Sequence, residues 1–322
     1  MLSEFDLIAR YFTRPLHPGS AATLGVGDDC ALLAPAPGLQ LAISTDMLVA
    51  GRHFFADADP ALLGHKCLAV NLSDLAAMGA RPLAFTLALA LPAPDEAWLA
   101  PFAQGMLALA DLHGCDLVGG DTTRGPLTIS ITVFGEVATE QALRRSAAQA
   151  GDDIWVSGSL GEARLALAGL RGELALDAAT LATAAPRLHA PTPRVALGLA
   201  LRGVANAAID VSDGLAGDLG HILERSGVGA VVDVDALPAG AGLARQPADL
   251  RRAYCLAGGD DYELCFTAPA AQRQDVLAAA RAAATPVARI GAIETEPGLR
   301  LRDANGQHYH LSLTSFDHFA SP

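Results

Sequence analysis

The residues of this chain best suited to chemistry are aspartates that end apolar segments and have glycine, serine or threonine as neighbours. These aspartates are Asp28 and Asp29 in GVGDDC, Asp46 in STD, Asp74 in NLSDLAAMGA, Asp121 in GGDTT, and Asp210 with Asp213 in IDVSDG. A single one could be a turn or cap residue, as Asp213 would be if it capped a helix beginning at Gly214. Together they favour a site for a hard cation, since Mg2+ and Ca2+ prefer carboxylate and hydroxyl oxygens.

Asp74 gives the clearest physical argument for such a site. The sequence predicts a helix over residues 60–78, and Asp74 continues an apolar stripe on it, at spacings of three and four residues, formed by Leu63, Cys67 and Val70. A carboxylate on an apolar helix face is unfavourable unless it is paired or bound to a metal ion. The sequence therefore predicts that Asp74 has a cation as its partner.

A phosphate ligand would not be neutralised by a lysine loop in this chain. Lys66 is the only lysine, and the sequence contains no GxxxxGK[ST] segment. The glycine turns GVGDD and SGSLGEA are each weak indications of a phosphate loop. If phosphates bind, magnesium held by carboxylates has to neutralise them, and Gly119-Gly120 would let the backbone approach closely.

Strands and helices are mixed along the chain, which favours an α/β or α+β class, and 322 residues favour two domains. The segment LQLAIS predicts a strand that ends at residues 44–46. The apolar run 82–92 predicts a buried strand, and CDLVGGD a strand that runs into a glycine turn. The weakly patterned stretch ATEQALRRSAAQAGDD places a boundary near residue 148, between an N-terminal α/β domain (1–148) and a C-terminal α+β domain (149–322).

Composition excludes several classes of partner. The formal net charge is −13, so most of the surface would repel a nucleic acid. The run 82–92 is too short to span a membrane, and we expect a cytoplasmic protein because no targeting segment is recognisable. The five cysteines form no CxxC pair, and we expect all five to be small buried residues in a reducing compartment.

Several long motifs, in order, resemble those of bacterial thiamine-monophosphate kinases. They are GVGDDCALL, LAISTDMLVAGRHF, KCLAVNLSDLAAMGARP, LVGGDTTRGPL, AIDVSDGLAGDLGHI, GGDDYELCF and a terminal FDHF. They run from about residue 24 to residue 319, so the resemblance covers nearly the whole chain. The wider superfamily includes aminoimidazole ribonucleotide synthetase, selenophosphate synthetase and a hydrogenase maturation factor, but STDMLVAGRHF and GGDDYELCF resemble the kinase.

The resemblance implies roles for particular residues. The implied magnesium ligands are Asp29, Ser44, Thr45, Asp46, Asp74, Asp121, Asp210 and Asp213. The implied ATP contacts are Gly120, Asp121, Arg145 and Ser212, and the implied contacts to thiamine phosphate are His53, Asp260 and Phe316. On the residues alone, His53, Arg145 and Phe316 could equally be structural. The family commonly has Glu at the position of Asp260, whose shorter side chain keeps the charge and reaches less far.

The resemblance also implies a fold and an activity. We expect the aminoimidazole ribonucleotide synthetase-like fold, a homodimer that pairs through its N-terminal sheets, and an active site in a cleft between domains. The expected reaction is phosphorylation of thiamine monophosphate to thiamine diphosphate, with ATP as co-substrate, several Mg2+ ions, direct in-line transfer and no protein nucleophile or base. The alternatives are another ATP-dependent synthetase of the superfamily and a non-catalytic nucleotide- or metal-binding regulator.

Overall fold

The computed structural model describes residues 4–310, which divide into two compact units. The first contains the chain up to Leu75 and Ala80–Glu140, and the second contains Ala76–Gly79 and the chain from Gln141 onward. The domain bounds 1–148 and 149–322 stay a prediction.

The described part of the first unit is built around a four-stranded sheet with the strand order β3-β6-β4-β5. Strands β4 and β5 are parallel, and the other two pairs are antiparallel. The elements are α1 (Glu4–Leu7), continued by a π-helical turn (Ile8–Phe12), β1 (Ala22–Leu24), β2 (Leu32–Leu33), β3 (Leu39–Val49), α2 (Pro60–Ala77), β4 (Arg81–Leu91), α3 (Glu96–His113), β5 (Asp116–Arg124) and β6 (Thr128–Ala138).

Helix α2 is a core element of this unit. Asp59 precedes it and accepts the Leu62 N–H at 3.0 Å, while Pro60 takes the first helical position, where no N–H is needed. Helix α3 crosses α2 closely, since a Cβ at Gly64 would overlap the Phe102 carbonyl oxygen. The predicted helix over 60–78 is confirmed to within one residue at its end.

One face of the sheet carries large exposed side chains on the edge strand β3. Its residues alternate, so that Ile43 and Met47 are 60% and 58% exposed, whereas Leu48 is buried. On the neighbouring strand β6, Phe134 lies opposite Ile43, whereas the smaller Thr132 and Ser130 lie opposite Thr45 and Met47. The Thr132 hydroxyl is 2.8 Å from that of Thr45. This open face is the surface formed by Ile43, Thr45, Met47 and their neighbours across the sheet.

The described part of the second unit contains a six-stranded mixed sheet with the strand order β12-β9-β11-β7-β10-β8. Its elements are β7 (Asp152–Ser157), α4 (Glu162–Leu170), α5 (Ala178–His189), α6 (Val195–Ala200), β8 (Ala207–Asp210), α7 (Leu215–Ser226), β9 (Gly229–Asp233), a 3-10 turn (Leu243–Arg245), α8 (Ala248–Ala257), β10 (Leu264–Pro269), a second 3-10 turn (Ala270–Gln272), α9 (Arg273–Ala282), β11 (Val287–Glu294) and β12 (Gly298–Arg302).

Three local predictions are corrected by the structure. Strand β5 does not turn at Gly119-Gly120 but continues to Arg124, because pairing with β4 satisfies its backbone through a bulge. Strand β3 likewise runs past residues 44–46 to Val49. Cys30 is exposed on a surface turn, whereas the other four cysteines are buried as predicted.

The prediction that residues 82–92 form a strand is confirmed to within one residue at each end, since β4 is Arg81–Leu91. Among the helices within residues 4–310, none has the length and apolar character needed to cross a membrane.

Candidate functional site

In the first unit, strand β3 and helix α2 bring together three of the predicted magnesium ligands. The Ser44 hydroxyl donates a hydrogen bond to Oδ2 of Asp74, and Asp46 lies on the same face of β3 as Ser44. Asn71, one helical turn before Asp74, accepts the Asp46 backbone N–H at 3.0 Å. Asn71 is fully buried, and its side-chain NH2 donates a hydrogen bond to the Cys67 carbonyl. It therefore fixes the position of Asp46 relative to helix α2.

Asn71 is a residue that the sequence analysis did not assign. Its signal was a buried amide on the apolar helix α2, three residues before Asp74. A buried amide needs partners, and the backbone N–H of a strand packed against the helix is a natural one.

Thr45 and Asp121 lie on the opposite face of the same sheet. Asp121 is in register with Ala88, which is in register with Ser130 and then with Met47, so Asp121 belongs to the open face. The residue of β5 that is in register with Asp46 across the sheet is Gly120, which precedes Asp121. Three strand spacings, or about 14 Å, separate Asp46 from Gly120.

That separation decides which ligands one protomer can combine at one metal ion. Oxygen ligands of Mg2+ lie at about 2.1 Å from the ion, so the ligands of a single ion are within a few Å of one another. The first unit therefore brings Ser44, Asp46 and Asp74 together but does not bring Asp121 to them. Within residues 4–310, no group of three or more His, Cys, Asp or Glu side chains is close enough to hold a metal ion.

Asp29 lies in an exposed surface turn that follows β1, and its N–H donates to the Asp28 carboxylate at 2.9 Å. Gly120 has a positive φ of 148°, and a Cβ there would overlap the backbone of Leu87 on the neighbouring strand. Close strand pairing thus already requires a glycine at position 120.

His53 follows β3 in a turn, and its Nδ1 accepts the Val49 backbone N–H at 3.0 Å. In the neutral imidazole the proton is consequently on Nε2, so Nε2 is a hydrogen-bond donor. This geometry suits a contact to an acceptor such as a phosphate oxygen.

In the second unit, the loop after β8 (residues 211–214) carries Ser212 and Asp213. The backbone N–H groups of Ser212, Asp213 and Gly214 all donate to Oδ2 of Asp218, at 3.0, 3.1 and 3.1 Å. Asp213 does not cap the following helix, because α7 begins at Leu215 with Gly214 in the N-cap position. Asp218 therefore shapes this loop, and Asp210 ends the buried strand that leads into it.

Asp218 is a second residue that the sequence analysis missed. It lies on the apolar face of α7 with Leu215, Leu219 and Ile222, so the spacing argument used for Asp74 would have found it. Burial, assisted by the nearby Asp213 charge, raises the pKa of the Asp218 carboxyl to about 7, and the three N–H donors oppose that rise.

Asp260 lies in the turn of residues 258–263, called here the Asp260 turn, which leads into β10. Asp260 and Tyr262 both have positive φ, 65° and 49°. Asp261 between them is fully buried and accepts the Gly161 N–H at 2.8 Å, so that amide of the SGSLGEA segment is already occupied. Burial raises the pKa of the Asp261 carboxyl well above its ordinary value.

Arg145 is exposed, and its carbonyl accepts the Ser226 hydroxyl at 2.8 Å. Phe316 lies outside the described residues, so its predicted role is not addressed by the structure.

Comparison with known proteins identifies the class to which this two-unit fold belongs. Residues 27–137 match the N-terminal domain and residues 149–304 the C-terminal domain of AIR synthase related proteins. The chain belongs to this family, and its fold is the predicted aminoimidazole ribonucleotide synthetase-like fold. The hydrogenase maturation protein HypE, solved in complex with ATP, is 24% identical with a TM-score of 0.77, a likeness of fold alone.

Closer relatives define the particular family. The thiamine-monophosphate kinase of Salmonella typhimurium is 47% identical over 325 residues, 99% of each chain. The crystal structure of the Stenotrophomonas maltophilia enzyme is 49% identical, with a TM-score of 0.83 and coverage of 90% of this chain and 92% of that one. AaThiL, complexed with AMPPCP and TMP, is 28% identical, with a TM-score of 0.77 and coverage of 89% of each chain. The chain is a member of the thiamine-monophosphate kinases, which confirms the resemblance predicted from the motifs.

Proposed function

We propose that this chain transfers the γ-phosphoryl group of ATP to thiamine monophosphate and releases ADP and thiamine diphosphate. The observation that carries the proposal is 47% identity over 99% of the chain to a thiamine-monophosphate kinase. The related AaThiL complex with AMPPCP, an unreactive ATP analogue, and TMP supports both substrates. ATP as a substrate favours the cytoplasm as the place of action.

An ADP-release assay with a panel of phosphomonoesters tests this function. We expect ADP release in the presence of magnesium and thiamine monophosphate, and at least about 10²-fold less with other small phosphomonoesters, since polar groups built for one ligand stay unpaired with another. Release with a carboxylate or amide acceptor instead would favour another synthetase of the superfamily. ATP binding with no release for any acceptor would favour a regulator.

The transfer we propose is direct and in line. The acceptor is a phosphate oxygen that is already ionised at neutral pH, so the reaction needs no strong general base. Its obstacle is repulsion between two anionic phosphates, and the oxygen-rich set Ser44, Asp46 and Asp74 has the donor chemistry that Mg2+ requires. Mg2+ bound there would neutralise that charge and align the groups. We propose Asp29, Asp210 and Asp213 as further Mg2+ ligands, each at its own position outside this set.

Direct transfer predicts that no phosphoenzyme forms. Incubation with γ-labelled ATP and magnesium, without acceptor, is expected to leave the protein unlabelled, because a covalent route helps mainly when the acceptor is a poor nucleophile. Initial rates are expected to give intersecting double-reciprocal lines. Stoichiometric labelling of an aspartate that thiamine monophosphate discharges, with net retention at phosphorus, would contradict direct transfer.

The remaining contacts that we propose follow the family resemblance. Gly120, Asp121, Arg145 and Ser212 serve ATP, and His53, Asp260 and Phe316 serve thiamine monophosphate. The Nε2 donor of His53 suits the phosphate of the substrate, and the carboxylate of Asp260 suits the cationic thiazolium ring.

We also propose a homodimer in which the open faces of two sheets pair. Ile43 and Met47 are more than half exposed on the edge strand β3, which makes them apolar side chains that a second sheet could cover. Pairing about a two-fold axis parallel to the strands places β3 of one protomer beside β5 of its partner. Asp121 would then serve the site that contains the Asp46 and Asp74 of the other protomer, which accounts for its position on the opposite face.

A further inference from the structure

The Asp260 turn is joined to the loop after β8 by backbone hydrogen bonds. The Asp260 N–H donates to the Ser212 carbonyl at 2.9 Å, and the Tyr262 N–H donates to the Val211 carbonyl at 2.8 Å. In the other direction the Val211 N–H donates to the Glu263 carbonyl at 2.8 Å. The position of Asp260 relative to Ser212 therefore depends on the conformation of this turn.

The backbone conformation of the Asp260 turn is not the one that its residues prefer locally. Asp260 and Tyr262 are both in the left-handed region, which non-glycine residues visit rarely and keep only where their surroundings impose it. The two residues are partly exposed, while Asp261 and Glu263 are directed into the interior with no exposed surface. Besides the backbone hydrogen bonds to Val211 and Ser212, the contacts of these two buried carboxylates hold the turn.

Glu263 makes the stronger set of these contacts. Its carboxylate accepts from Arg187 Nη2 at 2.5 Å, from Arg194 Nε and Nη2 at 2.6 and 2.5 Å, and from the Ser157 hydroxyl at 2.6 Å. The Ser157 oxygen accepts the Leu264 N–H at 2.8 Å, which ties the start of β10 to the same cluster. Arg194 binds Glu263 in a bidentate, fork-like geometry, with two nitrogens on the planar carboxylate. This geometry fixes the orientation of the Glu263 side chain as well as its distance from Arg194.

We propose that Glu263, which is ion-paired with Arg187 and Arg194, is a positioning residue that holds Asp260 in a fixed position relative to Ser212. Glu263 has no exposed surface, so any effect it has on catalysis passes through the turn. The inference rests on the proposed function, in which Asp260 contacts thiamine monophosphate and Ser212 contacts ATP.

Arg194→Lys is the variant that tests the proposal. Lysine keeps the charge beside the buried Glu263, whereas truncation of Glu263 would leave two guanidinium groups without their carboxylate. Arg273→Lys is the matched control, because Arg273 forms the same kind of fork, at 2.5 and 2.8 Å, with the buried carboxylate of Asp153. Should Arg194→Lys not fold, Arg187→Lys takes its place.

Hydrogen exchange provides a readout that does not depend on activity. In Arg194→Lys the amides of Asp260 and Tyr262 are expected to exchange about tenfold faster or more, since their hydrogen bonds open with the turn. In Arg273→Lys the same peptides should exchange at the native rate. Native exchange of the turn in Arg194→Lys would overturn the proposal.

A double-mutant cycle provides the kinetic readout. Arg194→Lys is expected to lower kcat/KM for thiamine monophosphate by about tenfold, as loss of an outer partner commonly does, but by less than about twofold in an Asp260→Ala background. An equal loss in both backgrounds would show a merely structural effect and overturn the positioning role. If the native chain does not phosphorylate thiamine monophosphate, the proposed function fails, and the exchange experiment still decides whether Glu263 holds the turn.

Discussion

Replacement of Asp74 by Asn is expected to lower kcat by about 10²–10³-fold, the loss typical of removing one group that stabilises transition-state charge. The side chain of Asn has the shape of Asp and can still accept the Ser44 hydroxyl hydrogen bond, so the fold is expected to persist. What is lost is the negative charge that we propose binds Mg2+. Excess magnesium is expected to restore little activity, because a neutral amide is a poor ligand for it.

The measurement is kcat at saturating ATP and thiamine monophosphate across a magnesium titration, with thermal unfolding as a check on the fold. Asp46→Asn is expected to behave in the same way. Asp95→Asn is the matched control: Asp95 is the N-cap of α3 in the same unit, and Asn caps helices about as well, so the rate should stay within about twofold. A near-normal rate for Asp74→Asn would remove Asp74 from the metal ligands.

Mixed dimers of Asp74→Asn and Asp121→Asn protomers are expected to recover activity that neither variant has alone. If one site takes Asp74 from one protomer and Asp121 from its partner, a mixed dimer has one intact site and one site with both substitutions. The purified mixed dimer should therefore show about half the native activity, because the two-fold symmetric dimer has two equivalent sites.

Coexpression of the two chains with different affinity tags gives the mixed dimer, and each homodimer of a single variant is the background. A mixed dimer of two Asp74→Asn chains with different tags controls for the purification and should stay inactive. If Asp74 and Asp121 act in the same protomer, no mixed dimer gains activity. That outcome, or a monomer in solution, would contradict the paired open faces.

Local patterns were sufficient to predict many of the elements near the site. Asp59-Pro60 and Gly79 marked the ends of α2, and the terminal Gly114 of α3 adopts the left-handed conformation that a glycine after a helix allows. These signals succeed because caps and apolar spacing depend on neighbours in sequence. The prediction failed at Gly119-Gly120, where glycine was interpreted as a turn although pairing with β4 extends the strand.

The sequence predicted which residues belong to the candidate site more completely than how those residues are arranged. The motifs, through the family they resemble, named Ser44, Asp46 and Asp74, which β3 and α2 place together. They did not reveal Asn71 or Glu263, whose importance comes from what they contact across the fold. A buried polar residue is informative only when its partners are known.

The sequence by itself determined the family, the mixed α/β to α+β class and the aspartates that we propose as metal ligands, because motif order and apolar periodicity are properties of the chain. Tertiary structure alone decided that Asp121 lies across the sheet from Asp46, and that the left-handed Asp260 turn is held by Glu263 and its two arginines. Strand register and the partners of buried charges depend on residues far apart in sequence, and no local pattern specifies them.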